Sequence, residues 1–291
     1  MILSRRHLLL GAAAALLPAR AARATASQPD SLVHWNSGGP FFGGFSGIAL
    51  SSDRRRALLL SDRGFLVRIR LLRDDTGALT GVEKIEHVEL HDRRGRRLTG
   101  DALDAEGMDQ RPDGTLFVAF ESPRSRVWRY DDEGGAAVAL PASDGWSTLP
   151  GNQGIEALAL DAAGEAFALP EAPQGGGFPL YRLRGGSWQV IALLPQRGDF
   201  VPVGADFGPD GALYLLERRF RLAFFASRIS RLRPGAWDQP ETLVETGLGA
   251  LDNHEGLAIT RDAQGQIWAT TVSDDNQHPL QRTEIAEFRL T

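Results

Sequence analysis

Five acidic residues, Asp62, Glu121, Glu171, Glu217 and Asp274, each follow a short apolar run, and three more, Glu106, Glu156 and Glu255, each open one with the order Glu, Gly or Ala, apolar. Carboxylates ligate hard cations, exchange protons and receive arginine. Gathered in one place, these eight would raise one another's pKa values unless a cation or arginines neutralised them. Oxygen ligands of this kind suit Ca²⁺, which accepts six to eight oxygens in flexible geometry, better than Zn²⁺. Glu106, Glu156 and Glu255 are accordingly the expected catalytic carboxylates, and all eight acids are expected metal ligands. Arg63, Arg218 and Arg219 follow directly on Asp62 and Glu217. Arg63 and Arg218 are expected to receive an anionic substrate, the plainer reading being surface ion pairs of little energetic weight.

Other chemistries are excluded or weakly supported. The chain has no cysteine, so thiol catalysis, thiolate metal sites and disulfides are ruled out. His34, His87, His91, His254 and His278 show no paired ligand spacing, and only His254, beside Glu255, is placed to lie near the acids. Ser46 lies in Gly44-Phe45-Ser46-Gly47, which lacks the second spaced glycine and the following helix of a nucleophile elbow, so a structural role is expected. The formal net charge is −5, which argues against nucleic acid as a partner.

The elements that must position the acids are strands. Short β-branched and aromatic runs alternate with Gly, Pro and Asp turns, and no long 3.6-residue period appears. A unit of about 50 residues recurs, as repeat architectures require. Its five copies begin at Ser46-Gly47-Ile48, Glu106-Gly107-Met108, Glu156-Ala157-Leu158, Val203-Gly204-Ala205 and Glu255-Gly256-Leu257. Turns such as Pro112-Asp113-Gly114 and Pro209-Asp210-Gly211 divide the first strand of a copy from its second. Four strands per copy make one propeller blade, so the chain is expected to be an all-β propeller of five four-stranded blades. Six remain open if the segment from Leu71 to Gly100 holds an extra hairpin. The fifth copy is one strand short, and Ser31 to Asn36 is expected to supply it, closing the ring and covering an edge. Because the first strand of each hairpin leaves one face of the ring and the second returns to it, both sets of acids are expected at one mouth of the central channel.

The N-terminus carries Arg5-Arg6, a short apolar stretch from Gly11 to Leu17, and small residues at Ala22-Arg23-Ala24 or Ala24-Thr25-Ala26. This order resembles a twin-arginine export signal over residues 1–26, with 27–291 as the mature domain. It implies the twin-arginine export machinery as a partner and a periplasmic or secreted protein without a membrane span. Loss of residues 1–26 would bring the net charge to −9.

Gly44-Phe45-Ser46-Gly47-Ile48, Ser61-Asp62-Arg63-Gly64, Ala105-Glu106-Gly107-Met108, Asn152-Gln153-Gly154-Ile155-Glu156, Leu215-Leu216-Glu217-Arg218 and Asn253-His254-Glu255-Gly256, with Ser273-Asp274-Asp275-Asn276, stand in an order that resembles the phytase-like family, "esterase-like activity of phytase". The resemblance runs from Phe42 to Leu290 and implies a secreted or periplasmic propeller cleaving phosphoesters or esters. Glu-Gly-apolar followed by Pro-Asp-Gly is also similar to the opening of gluconolactonase-type metal-dependent lactonases, for which Glu106, Asn152 and Asp274 are the comparable residues. The leading expectation is Ca²⁺-dependent hydrolysis of a small phosphoester. The alternatives are a lactonase, or a propeller that binds a ligand or metal without catalysis.

Overall fold

The computed structural model describes residues 26–39 and 41–290. The expected export signal lies outside these residues, apart from Ala26. Among the described residues no helix is long and apolar enough to cross a membrane.

Among the described residues twenty strands form five four-stranded antiparallel sheets. Strand β1 (Ser31–Trp35) is followed by blade 1, made of β2 (Phe45–Leu50), β3 (Arg56–Ser61), β4 (Phe65–Arg73) and β5 (Leu79–Glu89). Blade 2 holds β6 (Ala105–Gln110), β7 (Leu116–Phe120), β8 (Arg126–Tyr130) and β9 (Val138–Ala139). Blade 3 holds β10 (Ile155–Leu160), β11 (Ala166–Pro170), β12 (Gly177–Arg184) and β13 (Ser187–Pro195). Blade 4 holds β14 (Val201–Phe207), β15 (Leu213–Arg221), β16 (Phe224–Leu232) and β17 (Glu241–Glu245). Blade 5 holds β18 (Asn253–Arg261), β19 (Ile267–Asp274) and β20 (Thr283–Leu290), with β1 as its outermost strand. The protein is a five-bladed β-propeller. The segment between β5 and β6 adds only an isolated His91–Arg97 bridge and a short 3₁₀ turn, so it holds no sixth blade.

The turns form as their residues demand. Gly114 and Gly211 take φ of +94° and +77°, open to glycine at little cost, and Asp113 accepts the Thr115 amide at 2.9 Å. The second strands are buried because each blade presses both faces against a neighbour. Five apolar clusters result, one per interface between successive blades. Tyr214 and Phe45 are fully buried in two of them, and each such side chain contributes about 1.5–3 kcal/mol relative to exposure.

Ring closure joins β1 to β20 in register from Ser31–Glu287 to Trp35–Thr283. It is reinforced by charge. The buried Glu287 carboxylate of β20 receives Arg73 at 2.6 and 2.8 Å and Arg54 at 2.9 Å, both from blade 1, and the Thr270 hydroxyl at 3.1 Å. These arginines hold the Glu287 carboxyl below the usual carboxylate range despite burial.

Candidate functional site: an acidic mouth with one internal arginine

The site begins with a backbone irregularity repeated in every blade. Pairing between first and second strands slips by one residue between Phe45 and Gly47, Ala105 and Gly107, Ile155 and Ala157, Pro202 and Gly204, and His254 and Gly256. The residues inside these bulges are Ser46, Glu106, Glu156, Val203 and Glu255. A bulge re-aims its extra side chain, and here it sets the inner ring of the mouth. The following residue is glycine in four blades because the inner strands nearly touch. A Cβ on Gly107 would lie 2.0 Å from the Glu156 carbonyl oxygen, and one on Gly204 2.3 Å from that of Glu255. A cavity of about 10 Å³ lies among these inner strands.

One residue beyond the partner of the residue that precedes each bulge, the second strand or the turn after it carries Asp62, Glu121, Glu171, Arg218 and Asp274. In blade 4 the position that is acidic elsewhere holds arginine. Glu217 pairs with Pro202 and so matches Ser61, Phe120, Pro170 and Ser273 of the other blades. The one-residue offset turns its side chain to the other face of the sheet. The buried Glu217 carboxylate accepts bonds from Arg228 at 2.6 and 2.9 Å, from Arg197 at 2.7 Å and from Ser230. The expectation that Glu217 joins the mouth is therefore corrected: it anchors the side of blade 4.

Arg218 is the internal cation of the mouth. Its guanidinium donates to Glu171 at 2.7 Å, to Asn253 at 2.8 Å and to Glu255, which also receives the Asn253 amide at 2.8 Å. The surrounding carboxylates raise its pKa against the opposing effect of burial. Arg63 reaches only the Phe42 carbonyl, at 3.3 Å, and forms no ion pair among the described residues.

The other half of the mouth has no such partner. One carboxylate oxygen from each of Asp104, Glu106 and Glu121 lies within 4.8 Å of the others, a spacing able to hold a metal ion. Asp62 lies within electrostatic reach of Asp104 and Glu106, and Asp274 within reach of Asp62. Burial, then the charges of Asp274 and Asp104, push the Asp62 carboxyl up to about 7. Burial and Glu255 push Asp274 up to about 8, and burial pushes Glu121 up to about 7 against the bond it accepts from the Gly154 amide. Glu106 is raised well above the usual range by burial and by Glu255, Glu156, Asp104 and Asp62. Glu156 is raised likewise by burial, Arg218 opposing and Glu171 and Glu255 adding. Uncompensated carboxylates in oxygen-only surroundings fit a hard divalent cation.

Asp104 and Asn253 escaped sequence reading. Each stands two residues before a bulge, a position filled by Gly44 in blade 1 and Gly154 in blade 3. A Cβ on Gly44 would meet the Asp62 carboxylate at 1.9 Å, so glycine there yields its space to the acid. Polar residues at this third position of the repeat were the available signal. Three other residues take places outside the acid set. Ser46 is buried and donates to the Ala105 carbonyl at 2.6 Å, tying blade 1 to blade 2. His254 is buried within blade 5, between Thr271 at 2.7 Å and Glu284 at 3.3 Å, away from the acids. Asn152 is exposed in the turn before β10.

A recess of about 1620 Å³ opens at the opposite mouth, among Asp109, Arg111, Phe167, Arg182, Asp206 and Trp237. Asp109 and Asp206 there accept the Leu160 and Ile259 amides of the next blade, at 2.6 and 2.5 Å. Burial pushes Asp109 up to about 7. No cluster with metal-ligand spacing occurs at that end among the described residues.

The family model described as "Phytase-like: Esterase-like activity of phytase" matches residues 40–277. The chain belongs to this family. Comparison with curated protein sequences gives no match. Among solved structures, this phytase-like propeller is similar to the endo-arabinase from Bacteroides thetaiotaomicron VPI-5482, with 10% identity over 92% of this chain and 99% of that one and a TM-score of 0.52. It is also similar to a putative exo-beta-1,3-galactanase from Bifidobacterium bifidum s17, with 14% identity over 86% and 87% and a TM-score of 0.50. A gluconolactonase from Xanthomonas campestris aligns at 12% identity over 85% and 72%, with a TM-score of 0.46. At such identities the likeness is one of fold.

Proposed function

We propose that this phytase-like propeller is an exported, metal-dependent hydrolase of phosphoesters or carboxylic esters, acting at its acidic mouth with Ca²⁺ as the metal. The observation that carries the reading is the Asp104, Glu106 and Glu121 group, with Asp62 within electrostatic reach of Asp104 and of Asp274, and no arginine paired to any of them among the described residues. These five carboxylates would hold the cation. When bound, it supplies Lewis acidity toward the substrate oxygens and lowers the pKa of a coordinated water. It also reverses a local field that would otherwise repel an anionic substrate.

The chain's own residues divide the remaining work. Glu171, Glu255 and Asn253 occupy Arg218 from both ends, which suits it to fixing local charge and leaves Arg63 as the guanidinium for a substrate oxyanion. Glu156, buried, without an ion pair among the described residues and with its pKa raised, is the proton donor to the leaving oxygen. The resemblance of residues 1–26 to a twin-arginine signal supports export to the periplasm or beyond.

The reading is tested by turnover of phosphomonoesters, carboxylic esters and lactones with Ca²⁺ and with excess EDTA. Hydrolysis of an ester class that disappears on chelation and returns with Ca²⁺ supports it. Full turnover in EDTA removes the metal, and Ca²⁺ binding without turnover on any class makes the protein a binding module.

A further inference from the structure

In blade 4 the hairpin beside the mouth does not stop at the rim. Strands β15 and β16 stay paired from Glu217–Arg228 through Arg218–Ser227 and Phe220–Phe225 to Arg221–Phe224, whereas in blade 1 the chain turns back directly after Asp62. The extension projects Phe220, Leu222 and Phe224 into solvent, at 63%, 78% and 56% exposure. Its two-residue turn places Leu222 and Ala223 at φ of +52° and +65°. Such turns favour Asn and Gly, and a left-handed leucine costs about 1–2 kcal/mol. Neither turn chemistry nor solubility favours leucine at this tip, which leaves an apolar contact as the role its side chain is suited to.

Residues two apart on a strand share a face, so Phe220 lies on the face of Arg218, about 7 Å further along. The Phe225 ring, paired opposite, sits 4.9 Å from the Phe220 ring. An aromatic wall thus rises from the strand that delivers Arg218 to the acids. We infer that this hairpin is the platform for an apolar group of the substrate, so that the site takes amphiphilic esters: a reacting oxyanion at the mouth and an alkyl or aryl group on Phe220, Leu222 and Phe225. The inference rests on the proposed hydrolytic site and gives its substrate class. An anionic bilayer is the less fitting occupant, because the adjoining surface is the acidic mouth of a chain with net charge −5.

The test is calorimetric binding of methyl-, butyl- and octylphosphonate in Ca²⁺, whose C–P bonds resist hydrolysis, with 1-octanol in EDTA as a metal-free arm. The wild type should bind octylphosphonate at least about tenfold more tightly than methylphosphonate, since each fully buried methylene gives up to about fourfold. The variant Phe220→Thr/Leu222→Asn, which keeps strand and turn propensities, should lose that preference and its octanol binding while binding methylphosphonate as before. A wild type indifferent to chain length, or a variant that keeps the preference, overturns the platform. So does a self-association or vesicle binding that the variant abolishes without any chain-length preference. If methylphosphonate fails to bind while octanol binding remains sensitive to the variant, the metal-site reading falls and the platform stands.

Discussion

Arg218 of blade 4 and Glu255 of blade 5 form an ion pair across the mouth, with Glu171 of blade 3 completing a bridge over three blades. The pair divides the acids into a neutralised half and an open half. Removing one partner of a buried pair leaves the others uncompensated, which typically costs about 3–5 kcal/mol. Arg218→Met should therefore lower the melting temperature markedly in EDTA. Ca²⁺ should restore part of the loss, because Glu171 and Glu255 then become additional oxygen ligands. Chemical denaturation of both proteins with and without Ca²⁺ checks this, and an unchanged midpoint in EDTA would deny Arg218 its role.

The open half sets the dependence on pH. Asp62, Glu121 and Asp274 have folded pKa values of about 7, 7 and 8, above their unfolded values. A carboxyl raised in this way leaves the folded state holding more protons than the unfolded one, so stability is greatest below the unfolded pKa and falls as pH rises through the folded value. The metal-free protein should thus lose thermal stability between about pH 5 and pH 8. Saturating Ca²⁺ should flatten the decline. Melting curves over this range in EDTA and in Ca²⁺ measure both slopes.

Ring closure should respond in the opposite sense. Glu287 has a lowered pKa, so its contribution is present above the unfolded pKa and is lost on acidification. Glu287→Ala leaves Arg54 and Arg73 without their carboxylate and should destabilise by about 3–5 kcal/mol. Far-UV and near-UV unfolding curves should shift together if the ring opens as one unit.

Blade number, the strand that closes the ring and the alternation of turn and buried strand were legible because each is written locally, in apolar runs and Asp-bearing turns repeated five times, two of those turns being Asp-Gly. The site was legible less completely. Glu217 and Arg218 are adjacent, and choosing which of them faces the mouth requires the bulge at Val203, which leaves no mark in composition. A slip of one residue exchanged an expected ligand for the ion partner of Arg197 and Arg228, and made an expected substrate clamp into the internal counter-ion. Asp104 was hidden because it lies just outside β6, where the repeated apolar pattern has not yet begun, although it stands two residues from Glu106 and gathers with it beside Glu121.

Calcium titration of the protein by calorimetry tests the central claim most directly. One high-affinity ion should bind the wild type and Glu217→Gln alike, and Glu106→Gln or Asp104→Asn should weaken it by at least about 10-fold, the loss expected when one charged ligand becomes neutral. Absence of binding to the wild type, or binding that Glu106→Gln leaves intact, would contradict the account.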